Sequence, residues 1–308
     1  MVFYPFTGII GAMSILKRLI FILLLASLSA CSGGLNIFPS PTPVPPTFTP
    51  VPPTSTPVPF AVAVNDDGIS VDEFNAEVAR YRAAQVALGN DDPGEEEAAG
   101  PVTEELIDRL LLAQGASEAG FSLDDSALQA RLDALADKLG GADQLSAWQQ
   151  AHGYSQESFK EALKREVSAT WMRDKIISDV PSTADQVHVR QILLYNQDNA
   201  QKIWDRLQAG ADFDVIAAEV DPVTRGDIGW FPRGYLAEKP VEDAAFALEP
   251  GKYSDIIQDN VGFHIIMLIE RQADRPLSPD EILTLQNRAV EDWLADRRQR
   301  SNIVLATK

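Results

Sequence analysis

A single cysteine, Cys31, leaves this chain without any internal disulfide. Histidine is nearly as scarce. His152, His188 and His264 are the three present, and no two stand at the spacing of metal ligands, so neither a metal nor another cofactor is expected. Basic residues are outnumbered, 26 Lys and Arg against 45 Asp and Glu, for a formal charge of −19. That balance offers no basic stripe for a nucleic acid and no electrostatic pull toward an anionic bilayer. Proline is scarce outside one segment, since ten of its 20 copies fall within residues 39–59. What is present is a 308-residue chain with 45% hydrophobic residues, enough to bury one large core or two modest ones.

The first thirty residues carry a targeting signal. Lys17 and Arg18 precede an apolar run over residues 19–28, and Leu28-Ser29-Ala30-Cys31 closes it. A basic start, a short apolar stretch and small residues before a cut describe a secretory signal. The run is too short to cross roughly 30 Å of hydrocarbon, which argues against a membrane-spanning helix. Leu-Ser-Ala-Cys resembles the bacterial lipobox, and that resemblance implies acylation of Cys31 and a lipid anchor on the outer face of the cell membrane. Translation from Met13 would give Met-Ser-Ile-Leu-Lys-Arg, a more usual start than the uncharged residues before it. Residues 31–60 then form a Pro/Thr-rich tether. Proline fixes φ and lacks an N–H, so the run favours extended polyproline II, reaching roughly 60 Å at ~3.1 Å per residue. A recognition ligand or a glycosylated stalk has the same composition; its position between anchor and domain favours a spacer.

Residues 61–181 read as a helical domain. A short strand at 61–64 and a turn at 65–68 precede Ser70-Val71-Asp72-Glu73, a capping box whose Glu73 can reach back to the Ser70 amide. Helices are expected near 103–119, 125–139, 142–151 and 156–178, with the acidic 91–100 stretch as a loop and Pro181 as a stop. Residues 279–303 are helical again. Each apolar stripe reads first as core packing. The opening VNDDGISVDEFNAEVARY resembles SurA-like and PrsA-like folding factors. That resemblance implies an all-helical domain completed by a C-terminal helix, residues 276–308, with a groove for unfolded chains.

Residues 182–275 alternate strand and helix: strands at 187–194, 253–258 and 263–270, helices at 199–208, 213–220 and 240–248, and a loop over 226–234. VRQILL, RGDIGWFPRGYL, KPVEDAAFALEPGKYSDIIQ and VGFHIIML follow one another in the order and spacing of parvulin-type (PpiC, rotamase) peptidyl-prolyl isomerases. The resemblance implies an α+β fold in which a four-stranded antiparallel sheet with surrounding helices forms the parvulin domain. It also implies a proline pocket of Ile228, Leu236 and Val241 with Phe263 nearby, and catalytic positions at His264, Asp221 and Gln191. Gln191 replaces the first of two family histidines and cannot titrate. Val241 replaces a phenylalanine. No cation follows the first strand, so a phosphopeptide substrate is not expected. A core role tying strands together is the plainer reading of His264, and Asp221-Pro222 is a common turn start.

The implied function is extracytoplasmic isomerisation of X-Pro bonds in unfolded or newly secreted polypeptides. Two alternatives stay open. One is a parvulin-fold holdase that binds unfolded clients with little or no catalysis; the other is a structural surface lipoprotein.

Overall fold

A computed structural model describes residues 60–306. The signal segment, Cys31 and the tether up to residue 59 lie outside the described residues. The described chain divides into two units: residues up to Thr170 together with those from Arg300 onward, and Trp171–Gln299.

In the first unit, β1 (Phe60–Val64) and β2 (Asp67–Ser70) form an antiparallel hairpin around Asn65 and Asp66. Asn65 takes φ 55°, the left-handed conformation such a tight turn requires and asparagine tolerates. β7 (Ile303–Leu305) pairs with β1 on the other side, giving the order β2-β1-β7. The helical unit therefore carries a small sheet that the sequence reading held only in its first strand. β7 escaped notice because three residues are too few to show a period of two.

α1 (Val71–Ala87) begins on Ser70, whose hydroxyl accepts the Glu73 amide at 3.2 Å. The reciprocal half of the capping box is not made. Glu73 Oε1 instead accepts two charge-assisted N–H bonds from the Arg165 guanidinium, both at 3.0 Å. α2 (Gly94–Glu118) starts well before the expected residue 103. Glu95, Glu96 and Glu97 occupy its first turn, where the helix dipole favours negative charge, so the acidic stretch initiates a helix rather than a loop. α3 (Asp125–Leu139), α4 (Ala142–Ala151) and α5 (Gln156–Ser178) match expectation closely. Leu128, Leu132, Leu145 and Phe159 close the core among these last three.

The second unit is built on a four-stranded antiparallel sheet of order β4-β3-β6-β5. Its strands are β3 (Thr183–Leu194), β4 (Asp227–Pro232), β5 (Ile257–Gln258) and β6 (Phe263–Pro276). β4 occupies part of the expected 226–234 loop. Its Gly-rich sequence reads as a turn, and Gly229, at φ 83°, sits where the β3–β4 register shifts beside Val189.

Strand alternation sorts the core into two faces. Val187, Val189, Ile266 and Leu268 point to one, where α8 (Lys239–Ala247) covers them with Val241, Ala244 and Ala245. Ile192, Leu194, Ile265 and Met267 point to the other, beneath α6 (Gln197–Gln208) and α7 (Phe213–Val220). The covering residues follow helical spacing: Ala200, Ile203, Trp204 and Leu207 on α6, and Phe213, Ile216, Ala217 and Val220 on α7. α9 (Pro279–Arg300) follows β6 and begins with a capping box, in which Ser278 and Glu281 exchange amide bonds at 2.6 and 3.3 Å.

Ile265 is fully buried between the sheet and α6–α7. Ile265→Ala should cost about 2–5 kcal/mol of stability in this unit. Urea denaturation followed by amide exchange in β3 and β6 would read the loss; a change under about 0.5 kcal/mol would contradict the described packing.

Candidate functional site

On β3, the period of two carries the Val187–Val189 face onward to Gln191 and Leu193. On β6, the Ile266–Leu268 face continues back to His264. α8 covers the Val187 end of this face, and the Gln191 end holds its polar groups. Leu193, His264 and Ile257 lie directly opposite one another across β3, β6 and β5, and Gln191 faces Ile266 in the next row. Gln191 and His264 are thus diagonal neighbours, close enough for side-chain contact.

They meet: Gln191 Oε1 stands 3.2 Å from His264 Nδ1. On the far side of the ring, Nε2 lies 3.1 Å from Asp259 Oδ1. Asp259 is not among the site residues that the sequence singles out; Asp259-Asn260 lies in the turn between β5 and β6. Its Oδ1 also accepts the amides of Val261 at 2.8 Å and Gly262 at 3.0 Å. A turn carboxylate five residues before a strand histidine is the signal that could have found it. Its Oδ2 is buried without a partner, a half-satisfied acceptor of the kind that collects at functional sites. Because Asp259 only accepts, Nε2 must donate to it. The ring is then either an imidazolium that also donates from Nδ1 to Gln191 Oε1, or a neutral Nε2–H form facing a Gln191 amide turned to present its NH₂. Glutamine supports both by a half-turn of its amide.

The loop beside Gln191 is shaped by Asp221. Its Oδ1 accepts the amides of Val223 at 3.0 Å and Thr224 at 3.2 Å, and its Oδ2 accepts the Thr224 hydroxyl. The Thr224 hydroxyl, and next its amide, hold the Asp221 carboxyl below the ordinary value. Thr224 Oγ1 in turn accepts the Gly226 amide at 3.1 Å, and the Gly226 carbonyl accepts the Gln191 amide at 2.7 Å. A Cβ on Gly226 would stand 1.9 Å from the Gln191 carbonyl oxygen, so only glycine fits. The geometry makes Asp221 the organiser of this loop, with no hydrogen bond to His264.

Ile228, Leu236 and Val241 pack into one cluster, on the face that carries Gln191 and His264. Val241 is 2% exposed and forms the floor, while Ile228 and Leu236 are partly open. Phe263 is set apart: alternation from His264 sends it to the opposite face of the sheet. Ile257, directly beside His264, is an apolar neighbour that the sequence did not mark. Leu236 is held by Glu242, a buried carboxylate on α8 that accepts the Gly234 amide at 2.9 Å and the Leu236 amide at 3.1 Å. Among the described residues, no three His, Cys, Asp or Glu side chains gather as metal ligands.

A four-stranded antiparallel sheet, helices on both faces and an apolar cluster beside a buried histidine define a parvulin-type isomerase module, here joined to a helical unit. Residues 191–270 match the rotamase family described as the PPIC-type PPIASE domain, and residues 15–173 match the SurA-like N-terminal domain. The chain therefore belongs to the SurA-like N-terminal domain family, whose model covers more than half of it, and carries a PPIC-type PPIASE domain after that region. It is 26% identical over 173 residues to foldase protein PrsA 4 of Bacillus cereus, covering 52% of this chain and 60% of that one. With foldase protein PrsA of Halalkalibacterium halodurans it shares 24% over 194 residues, 56% of this chain and 57% of the relative. It therefore spans less than two thirds of these relatives' lengths. A crystal structure of the peptidylprolyl isomerase PrsA from Bacillus cereus aligns with a TM-score of 0.40 at 21% identity, over 79% of this chain and 87% of that one.

Asp259 gives a pH prediction. Burial alone would raise its carboxyl, but the amides of Gly262 and Val261 and the His264 ring outweigh burial and hold it below the usual value. A carboxyl depressed on folding contributes stability that is full above its unfolded value, about 3.9, and is lost as pH falls through the lower folded value. Asp259→Asn should lower stability near neutrality and flatten the acid-induced loss below about pH 4. Parallel stability curves for the two proteins between neutral and acid pH would contradict this.

Proposed function

We propose that this protein accelerates cis–trans rotation of X-Pro bonds in extended, unfolded polypeptides outside the cytoplasmic membrane, held there by a lipid on Cys31 and the Pro/Thr tether. Residues 182–275 would carry the reaction, and the helical domain, residues 61–181, would hold the client. The reaction makes and breaks no covalent bond; it lowers a barrier of roughly 18–20 kcal/mol to rotation. An apolar seat for the ring and exclusion of water from the twisting amide suffice in principle. Ile228 and Leu236 over the Val241 floor offer that seat. Gln191 and His264 supply polar groups on the same face, and Asp221 keeps the neighbouring loop in position. The single observation carrying this reading is the Gln191–His264 contact of 3.2 Å on the face that also bears the Ile228–Leu236–Val241 cluster.

A holdase reading has its own support: Val241 is closed off from solvent, and Gln191 stands where the family has histidine. The discriminating experiment is a proline-tetrapeptide isomerisation assay run beside aggregation of a denatured client. The isomerase reading expects acceleration, a gain on Gln191→His, and a fall of about tenfold on His264→Ala, the effect of removing roughly 1.4 kcal/mol of transition-state stabilisation. No acceleration together with suppressed aggregation would leave the holdase; silence in both assays would favour a structural lipoprotein. For the anchor, Cys31→Ser should release the protein from the membrane fraction, and unchanged partition would count against lipidation.

A further inference from the structure

The wall of the proposed seat is held from outside the matched isomerase domain, which ends at residue 270. Asp280 Oδ2 accepts the Tyr235 hydroxyl at 2.8 Å, and Arg288 Nη2 donates to the Leu236 carbonyl at 3.2 Å. Leu285, three residues before Arg288 and on the same side of α9, sits over Gly234. A Cβ there would come within 3.1 Å of Leu285 Cδ2, and Gly234 also takes φ 85°. The Glu242 carboxylate of α8 separately holds the amides of Gly234 and Leu236. The segment 234–236 is thus fixed through its amides by α8 and through a carbonyl and a hydroxyl by α9.

Such a double hold is more than a connecting turn needs, since connections are ordinarily the mobile part of a fold. Its consequence falls on Leu236, a partly buried side chain packed with Ile228 against the cluster that holds Val241. We propose that α9 is part of the isomerase site: Arg288 and Asp280 are positioning residues that press the Leu236 wall against Glu242 and so set the fit for the prolyl ring. This inference rests on the isomerase reading above. It makes affinity for the proline segment, rather than the rotation itself, the quantity α9 controls. A wall that shifts after binding is lost weakens ground state and transition state alike, which appears in KM with kcat retained.

The test uses the full chain with Arg288→Ala, Arg288→Lys and Tyr235→Phe. Arg288→Ala should raise KM for a proline tetrapeptide about fivefold, the effect of one hydrogen bond, with kcat within about twofold. Tyr235→Phe should act in the same direction, and Arg288→Lys should restore part of the loss. Amide exchange at residues 234–236 should quicken in Arg288→Ala while β3 and β6 keep their protection. An unchanged KM overturns the proposal, whether or not exchange quickens. So does a fall in kcat with faster exchange throughout the sheet, which would make α9 a support of the fold alone. A wild-type chain that accelerates nothing sinks the isomerase reading instead. Tetrapeptide affinity then replaces KM, and an affinity that Arg288→Ala leaves unchanged overturns the positioning role.

Discussion

The pairing of β3 with β6 is the constraint on which the rest of the isomerase unit depends. It runs from Thr183 opposite Pro276 to Leu194 opposite Phe263, and both strands give one face to α8 and the other to α6 and α7. A slip of one residue would exchange the faces, sending Gln191 and His264 under the α6–α7 layer and Ile192 and Ile265 onto the face of the Ile228–Leu236–Val241 cluster. Register, turn and site are therefore one arrangement. The Asp259 turn that fixes where β6 begins also supplies the acceptor for His264.

That arrangement gives Gln191 a meaning beyond the loss of a titrating group. A histidine at this position would tie its own tautomer to that of His264, whereas an amide that can turn over serves either protonation state of its neighbour. Set beside the parvulin pattern that the sequence resembles, Gln191 keeps a hydrogen bond to His264 from a side chain that cannot titrate.

Much of this was legible in the sequence because it rests on short periods and local turn chemistry. The helices 125–139, 142–151 and 156–178, the two long strands of the isomerase unit and the cluster of Ile228, Leu236 and Val241 follow from patterning and family motif. What escaped depends on partners distant in the chain or on conflicting local signals. β4 hid behind glycines, and α2 began in an acidic stretch that looks like a loop until the helix dipole is considered. β7 has no pattern without β1, more than two hundred residues away. Phe263 was drawn toward the site by adjacency to His264, although neighbours on a strand face opposite ways. Asp259 looked sufficiently explained by its turn.

The union of β1 with β7 has a temporal consequence. Asn65 and Asn302 exchange hydrogen bonds at 2.8 and 2.9 Å, and Ala306 donates to the Ala61 carbonyl at 2.9 Å. During synthesis β1 emerges before the whole second unit, and its partner β7 only after it. The first unit must wait with an open sheet edge while the whole isomerase unit, whose strands and helices are all contiguous, is made and folds ahead of it. The order of maturation is thereby written into the threading of the chain: the second unit to be synthesised is the first that can be finished.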